Sequence, residues 1–138
     1  MNTVNVRKVE IGKGIPKICV PVVGITRDDI IDAACKAKET ADLVEWRADW
    51  YEDVLDFKKT EKMMEELRET LGDIPLLFTF RTLKEGGEKE IEKSVYVKLN
   101  EMAVKTGFAD LVDAEAFTGT DEVNTIVETA HLYGVKVI

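Results

Sequence analysis

Short apolar runs rich in β-branched and aromatic residues recur along this chain, starting at positions 17, 42, 75, 109 and 135. This recurrence constrains the fold more than any other feature. The four complete runs cover 17–24, 42–47, 74–81 and 109–115, and a fifth reaches 135–138. Lengths of roughly six to eight residues fit strands. The spacings of 25, 33, 34 and 26 residues are too uneven for a short repeat but match one strand plus one helix.

The segments between the runs carry helical signals. Thr26 with Asp29 three residues on reads as a capping box before Ile30, Ile31, Ala34 and Ala37. Met63, Met64, Leu67 and Leu71 form a helical stripe ended by Gly72, and Val95, Tyr96, Leu99, Met102 and Ala103 form another ended by Gly107. Thr120 reads as the cap of a fourth helix, with Val123, Ile126, Val127 and Ala130 on its buried side and Gly134 at its end. Ahead of these, 4–6 and 9–11 alternate around Arg7-Lys8 as a short hairpin. No linker or low-complexity stretch interrupts the order, so 1–138 reads as one domain, with a hairpin in 1–14 and βα units in 15–138. Strands alternating with helices imply a parallel sheet with right-handed crossovers, as a barrel or as an open sheet.

Composition excludes more than it identifies. With 19 Lys+Arg against 27 Asp+Glu the net charge is −8, and no basic stripe is present, so a nucleic-acid surface is not expected. No run of about 18 apolar residues is present, so no membrane span is expected, and the first residues lack the apolar core of a secretion signal. Cys19 and Cys35 both fall in apolar patterns and read as buried thiols of a reducing compartment. One histidine and two scattered cysteines make a zinc site improbable.

The informative polar residues collect at one end of the strands. Alternation turns Val44 and Trp46 toward the helices and leaves Glu45 and Arg47 on the opposite, inward face. The same rule pairs Thr79 with Arg81, and Leu111 with Asp113 and Glu115. Loops beyond add Asp49, Lys84, Glu85 and Glu88. Parallel strands bring their C-terminal ends to one rim, where α/β barrels place their sites. Two arginines there fit an anionic or hydroxyl-rich ligand. The competing reading is an internal ion-pair network, Glu45 with Arg47 and Arg81 with Glu115. Gly86-Gly87 reads as a tight turn rather than a phosphate cradle. His131 reads as a surface histidine near a helix end.

The segments Pro16-Lys-Ile-Cys-Val-Pro-Val-Val-Gly24, Glu45-Trp-Arg-Ala-Asp49, Pro75-Leu-Leu-Phe-Thr-Phe-Arg-Thr-Leu-Lys-Glu-Gly-Gly-Glu88 and Asp113-Ala-Glu-Ala-Phe117 resemble type I 3-dehydroquinate dehydratase of the shikimate pathway. The likeness runs through the chain in order. It implies a (β/α)8 TIM barrel of a cytoplasmic, usually dimeric lyase without metal or cofactor. That lyase removes water from 3-dehydroquinate through a lysine Schiff base to give 3-dehydroshikimate. It implies that Glu45, Arg47 and Arg81 hold the substrate's hydroxyls and carboxylate, and that Glu85 works with a catalytic histidine. Ala48 and Ala116 stand where the family commonly has a larger aliphatic residue.

A TIM barrel takes about 250 residues, so the resemblance implies an N-terminal half-barrel: the hairpin, four βα units and the start of strand five. The family's catalytic histidine and Schiff-base lysine follow later, so these 138 residues are expected to be inactive alone. Lys84 is a poor surrogate, because Glu85 beside it opposes the lowered pKa a Schiff-base lysine needs. The alternative is a non-catalytic half-barrel that self-associates through its open edges as a homodimer or larger assembly. Another Schiff-base barrel, such as an aldolase, would share the architecture.

Overall fold

The structure is a computed structural model that describes residues 2–138. Strands β1 (Val4–Val6) and β2 (Val9–Ile11) form an antiparallel hairpin. Five parallel strands follow: β3 (Cys19–Val22), β4 (Leu43–Arg47), β5 (Leu76–Thr79), β6 (Leu111–Val112) and β7 (Lys136–Val137). Helices α1 (Arg27–Ala37), α2 (Phe57–Leu71), α3 (Lys93–Lys105) and α4 (Thr120–Leu132) connect them in turn. The sheet order is β3-β4-β5-β6-β7, each strand beside its sequence neighbour. A barrel is wound in this order, whereas a doubly wound open sheet reverses at a switch point. No helix among the described residues is long and apolar enough to cross a membrane.

The helices begin where local chemistry places them. The Thr26 hydroxyl accepts from Asp29 N–H at 3.3 Å, and the Asp29 carboxylate accepts from Thr26 N–H at 3.2 Å, completing the capping box. Asp56 caps α2 by accepting from Lys58 and Lys59 N–H. The fourth helix departs from expectation: it starts at Thr120, and Gly119 stands in the capping position with no side-chain cap. Gly119 has φ 147°, and a Cβ there would lie 2.1 Å from Glu122 Oε2, so backbone freedom rather than a hydroxyl sets this entry.

Two apolar layers sandwich the sheet. On the helix side Val44, Trp46, Leu76, Phe78 and Phe80 are fully buried against Ile30, Met63, Met64, Leu67, Leu99 and Ile126. On the inward side Leu43, Leu77 and Leu111 form a smaller cluster closed by Val6 of the hairpin, with Ile11 packed on it. The hairpin thus floors the N-terminal end of the sheet. Its turn residue Arg7, at φ 51°, is fastened there: Arg7 Nε donates to Asp110 Oδ1 at 2.8 Å. Arg68 Nη1 donates to Asp110 Oδ2 at 2.8 Å, and Leu76 N–H to the same oxygen at 2.9 Å.

Both cysteines contradict the expectation of burial, being free and exposed. Cys19 pairs in register with Leu43 on β3, whose other flank has no strand beside it among the described residues. Burial of part of its surface, together with the Glu45 carboxylate, raises its thiol pKa. Cys35 follows the buried Ala34 by one residue, about 100° around the helix, and so faces outward.

Candidate functional site

The inward residues beyond the leucine floor are polar, and they meet at the C-terminal ends of β4, β5 and β6. Arg47, the last residue of β4, turns its guanidinium onto Asp49, with Nε to Oδ1 and Nη2 to Oδ2 both at 2.8 Å. Of the two ion pairs read from sequence, Arg81 with Glu115 is present, whereas Glu45 with Arg47 is not: the partner of Arg47 is Asp49. Glu45 instead accepts from the Thr79 hydroxyl at 2.9 Å across the β4–β5 ladder. Asp49, expected in a loop, sits on a 3-10 turn (Ala48–Trp50) with 0% exposure.

The second arginine is held just as firmly. Arg81 Nη2 donates to Asp113 Oδ2 at 2.9 Å and Nη1 to Glu115 Oε1 at 3.1 Å. Glu115 is fixed in turn by Thr82, which donates N–H to Oε1 at 2.9 Å and its hydroxyl to Oε2 at 2.7 Å. Ladder pairing of β6 ends at Val112, short of the expected 115. Tyr96 of α3 supports the segment beyond: its hydroxyl donates to Asp113 C=O at 3.3 Å and accepts from Glu115 N–H at 3.0 Å. Burial pushes the Tyr96 pKa up to about 12, so it stays a neutral donor and acceptor. Sequence reasoning assigned Tyr96 to packing and missed Thr82 altogether. Tyr96 acts on backbone groups beyond β6 and Thr82 on a carboxylate 33 residues away, and spacing within one element signals neither contact.

Burial alone would raise the pKa of Asp49. The Arg47 fork and the N–H groups of Glu88 and Arg81 outweigh burial and hold the carboxyl below the ordinary range. The same hydrogen bond leads the raising of the Arg47 pKa. For Arg81, burial works to lower the pKa, but Asp113 and Glu115 reverse it. Both guanidiniums are therefore fixed cations. Each also has a carboxylate partner, so Arg47 and Arg81 face Glu45, Asp49, Asp113 and Glu115. An added anion meets a face already rich in carboxylates. Hydroxyls, which both donate and accept, suit the leftover N–H groups and carboxylate lone pairs.

Glu85 ends a short 3-10 turn (Leu83–Glu85) above this face and is exposed, as is Lys84 beside it. It borders a cavity of about 480 Å³ shared with Leu83, Ile91, Tyr96, Glu115 and Phe117. That cavity lies between the β5–α3 and β6–α4 segments and is not lined by Glu45, Arg47 or Arg81. The glycines that follow Glu85 divide their work. Gly86 has φ 89°, the turn read from sequence, whereas a Cβ on Gly87 would sit 1.8 Å from Arg81 O. Gly87 thus lets the loop lie against the arginine's own carbonyl. His131 is exposed in the last turn of α4, at the opposite end of the unit from the rim. Among the described residues no group of three or more His, Cys, Asp or Glu could hold a metal ion.

Consecutive parallel strands backed by helices, with a charged rim at their C-terminal ends, define the (β/α)-barrel class that binds ligands at that rim. The chain belongs to the type I 3-dehydroquinase family, whose model matches residues 18–138. It is similar to the 3-dehydroquinate dehydratase of Clostridium botulinum, at 53% identity over 98% of this chain and 54% of that protein. A crystal structure of type I 3-dehydroquinate dehydratase from Clostridium difficile, covalently modified by comenic acid, superimposes with a TM-score of 0.97 at 44% identity, covering 99% of this chain and 54% of that one. The Enterococcus faecalis structure gives 0.91 at 43% identity, over 97% and 56%. The chain therefore spans about half the length of these relatives, and its sheet is half a barrel wall. A deoxyribose-phosphate aldolase from Toxoplasma gondii, at 22% identity and a TM-score of 0.60, shares the fold alone.

Proposed function

We propose that residues 1–138 form the substrate-holding part of a 3-dehydroquinate dehydratase, a single domain in which Glu45, Arg47 and Arg81 contact the substrate. One observation carries this reading: Arg47 and Arg81 are each locked by carboxylates at the C-terminal ends of adjacent strands, beside Glu45. Such fixed groups bind a rigid polyol without losing side-chain freedom at the moment of binding. The charge balance favours the substrate's hydroxyls over its carboxylate as their partners. Glu85, exposed at the end of its turn, works with a base supplied from elsewhere in the barrel. Dehydration through a Schiff base needs a lysine amine and that base. In this polypeptide His131 lies at the far end of α4, and Lys84 points from an exposed turn next to Glu85. A polypeptide of these 138 residues therefore binds 3-dehydroquinate without dehydrating it.

Titration of the ¹⁵N-labelled chain with 3-dehydroquinate tests this. The side-chain N–H signals of Arg47 and Arg81 are expected to shift, and the mass after borohydride treatment to stay unchanged. A titration that moves neither arginine, or a mass gain from a reduced adduct, contradicts the reading.

A second reading adds self-association, on the observation that both edges of the sheet expose apolar residues: Ile18 at 56% beside β3 and Ile138 at 60% after β7. Unpaired edges of this kind pair with another chain. Sedimentation at micromolar concentration is expected to give a dimer or larger species, and a compact monomer contradicts it.

A further inference from the structure

We infer that Asp49 is a positioning residue of this rim, a single buried carboxylate that grips the Arg47 fork so that the remaining guanidinium N–H groups face the ligand, while fastening Arg81 and the Glu85-bearing segment to it. The inference rests on the binding role proposed above for Arg47 and Arg81. Each Asp49 oxygen has two donors. Oδ1 accepts from Arg47 Nε at 2.8 Å and Arg81 N–H at 3.3 Å. Oδ2 accepts from Arg47 Nη2 at 2.8 Å and Glu88 N–H at 3.1 Å. A carboxylate has about four lone-pair sites, so Asp49 is saturated and, at 0% exposure, cannot touch a ligand itself. It acts through its partners.

Those partners come from three places: the end of β4, the end of β5, and the segment after Gly86-Gly87. The last two lie 32 and 39 residues away from Asp49 in sequence. The Asp49 carbonyl adds a fourth tie, accepting from Lys89 Nζ at 2.7 Å, and Lys89 also donates to Tyr51 C=O at 2.8 Å. Gly87, packed on Arg81 O, holds the same segment from its other side. An ion pair serving stability alone would need only the fork. The two backbone N–H contacts set the spacing between Arg47 and Arg81, which is what a rigid ligand reads. Arg47 spends two of its five N–H groups on Asp49 and keeps a 22% exposed side chain for the ligand.

The test is Asp49→Asn, which keeps the shape but turns an amide NH₂ toward N–H donors. By NMR of the 138-residue chain, the Arg47 Nε–H signal should lose its protection from exchange. The Arg81 and Glu88 amides should exchange at least about tenfold faster, and 3-dehydroquinate should bind about tenfold more weakly. In an Arg47→Ala background Asp49→Asn should weaken binding clearly less than it does in the parent chain, since the route through Arg47 is gone and only the one through Arg81 remains; additive losses would mean a merely structural role and overturn the inference. Should Asp49→Asn fail to fold, the unmutated chain still decides: an Arg47 Nε–H that exchanges as fast as free arginine overturns it. A chain that binds no ligand at all, yet shows the protected Arg47 signal lost in Asp49→Asn, sinks the binding proposal instead. It leaves the Asp49 fork standing and removes only its role toward a ligand.

Discussion

Trp46→Ala is expected to lower the free energy of unfolding by about 3–5 kcal/mol. The indole is fully buried on the helix side of β4, 5.7 Å from the ring of Phe78 in an edge-on contact and 6.0 Å from that of Tyr51. Its register partner on β5 is Phe78, so the cavity would open between the two strands that carry both arginines. A loss of this size is a large part of the roughly 5–15 kcal/mol that holds a domain together. It corresponds to a Tm lower by roughly 10–20 °C for a chain of this length. Trp46→Phe should cost much less, because Trp46 Nε1 is buried without a partner among the described residues and phenylalanine removes that unmet donor along with part of the ring. Thermal unfolding by circular dichroism distinguishes these outcomes. Equal losses for the two variants would contradict the packing account.

Arg81→Ala is expected to reduce kcat/KM by about one to three orders of magnitude in a barrel that turns over. Such a barrel can be made by joining residues 1–138 to the remaining half of the Clostridium botulinum relative, which is 53% identical over the shared part. Charge-assisted hydrogen bonds are worth roughly 1.5–3 kcal/mol each, and tenfold in rate is about 1.4 kcal/mol. Arg81 also separates Asp113 from Glu115. Its removal leaves two largely buried carboxylates without their cation, which adds a destabilisation of the rim to the lost ligand contact. Arg81→Lys keeps the charge but not the fork, and should fall between alanine and the parent. Kinetics of the three proteins test this, and unchanged kcat/KM in Arg81→Ala removes Arg81 from the site.

The order of the elements was legible because each apolar run and each helical stripe is a local pattern. All of Met63, Met64, Leu67 and Leu71 are buried, as their spacing requires. The choice between barrel and open sheet was not legible from periodicity, since both wind strands and helices alternately; the resemblance pointed to the barrel, and strand order decided it. Arg47 and Arg81 were found because charges on the inward face of a strand stand out against its alternation. Their partners were harder to see. Asp49 gains its role from N–H groups 32 and 39 residues away, and Tyr96 from the backbone of a segment beyond β6. Neither contact is encoded by spacing within one element. Cys19 misled because an apolar strand pattern does not say that the strand lies at an edge.

Production of 3-dehydroshikimate from 3-dehydroquinate by the same fusion, set beside residues 1–138 alone, separates a substrate-holding half from a complete enzyme. Turnover by the fusion and none by the 138 residues is the expected result. Turnover by the 138 residues, or a folded fusion that makes no product, would contradict it.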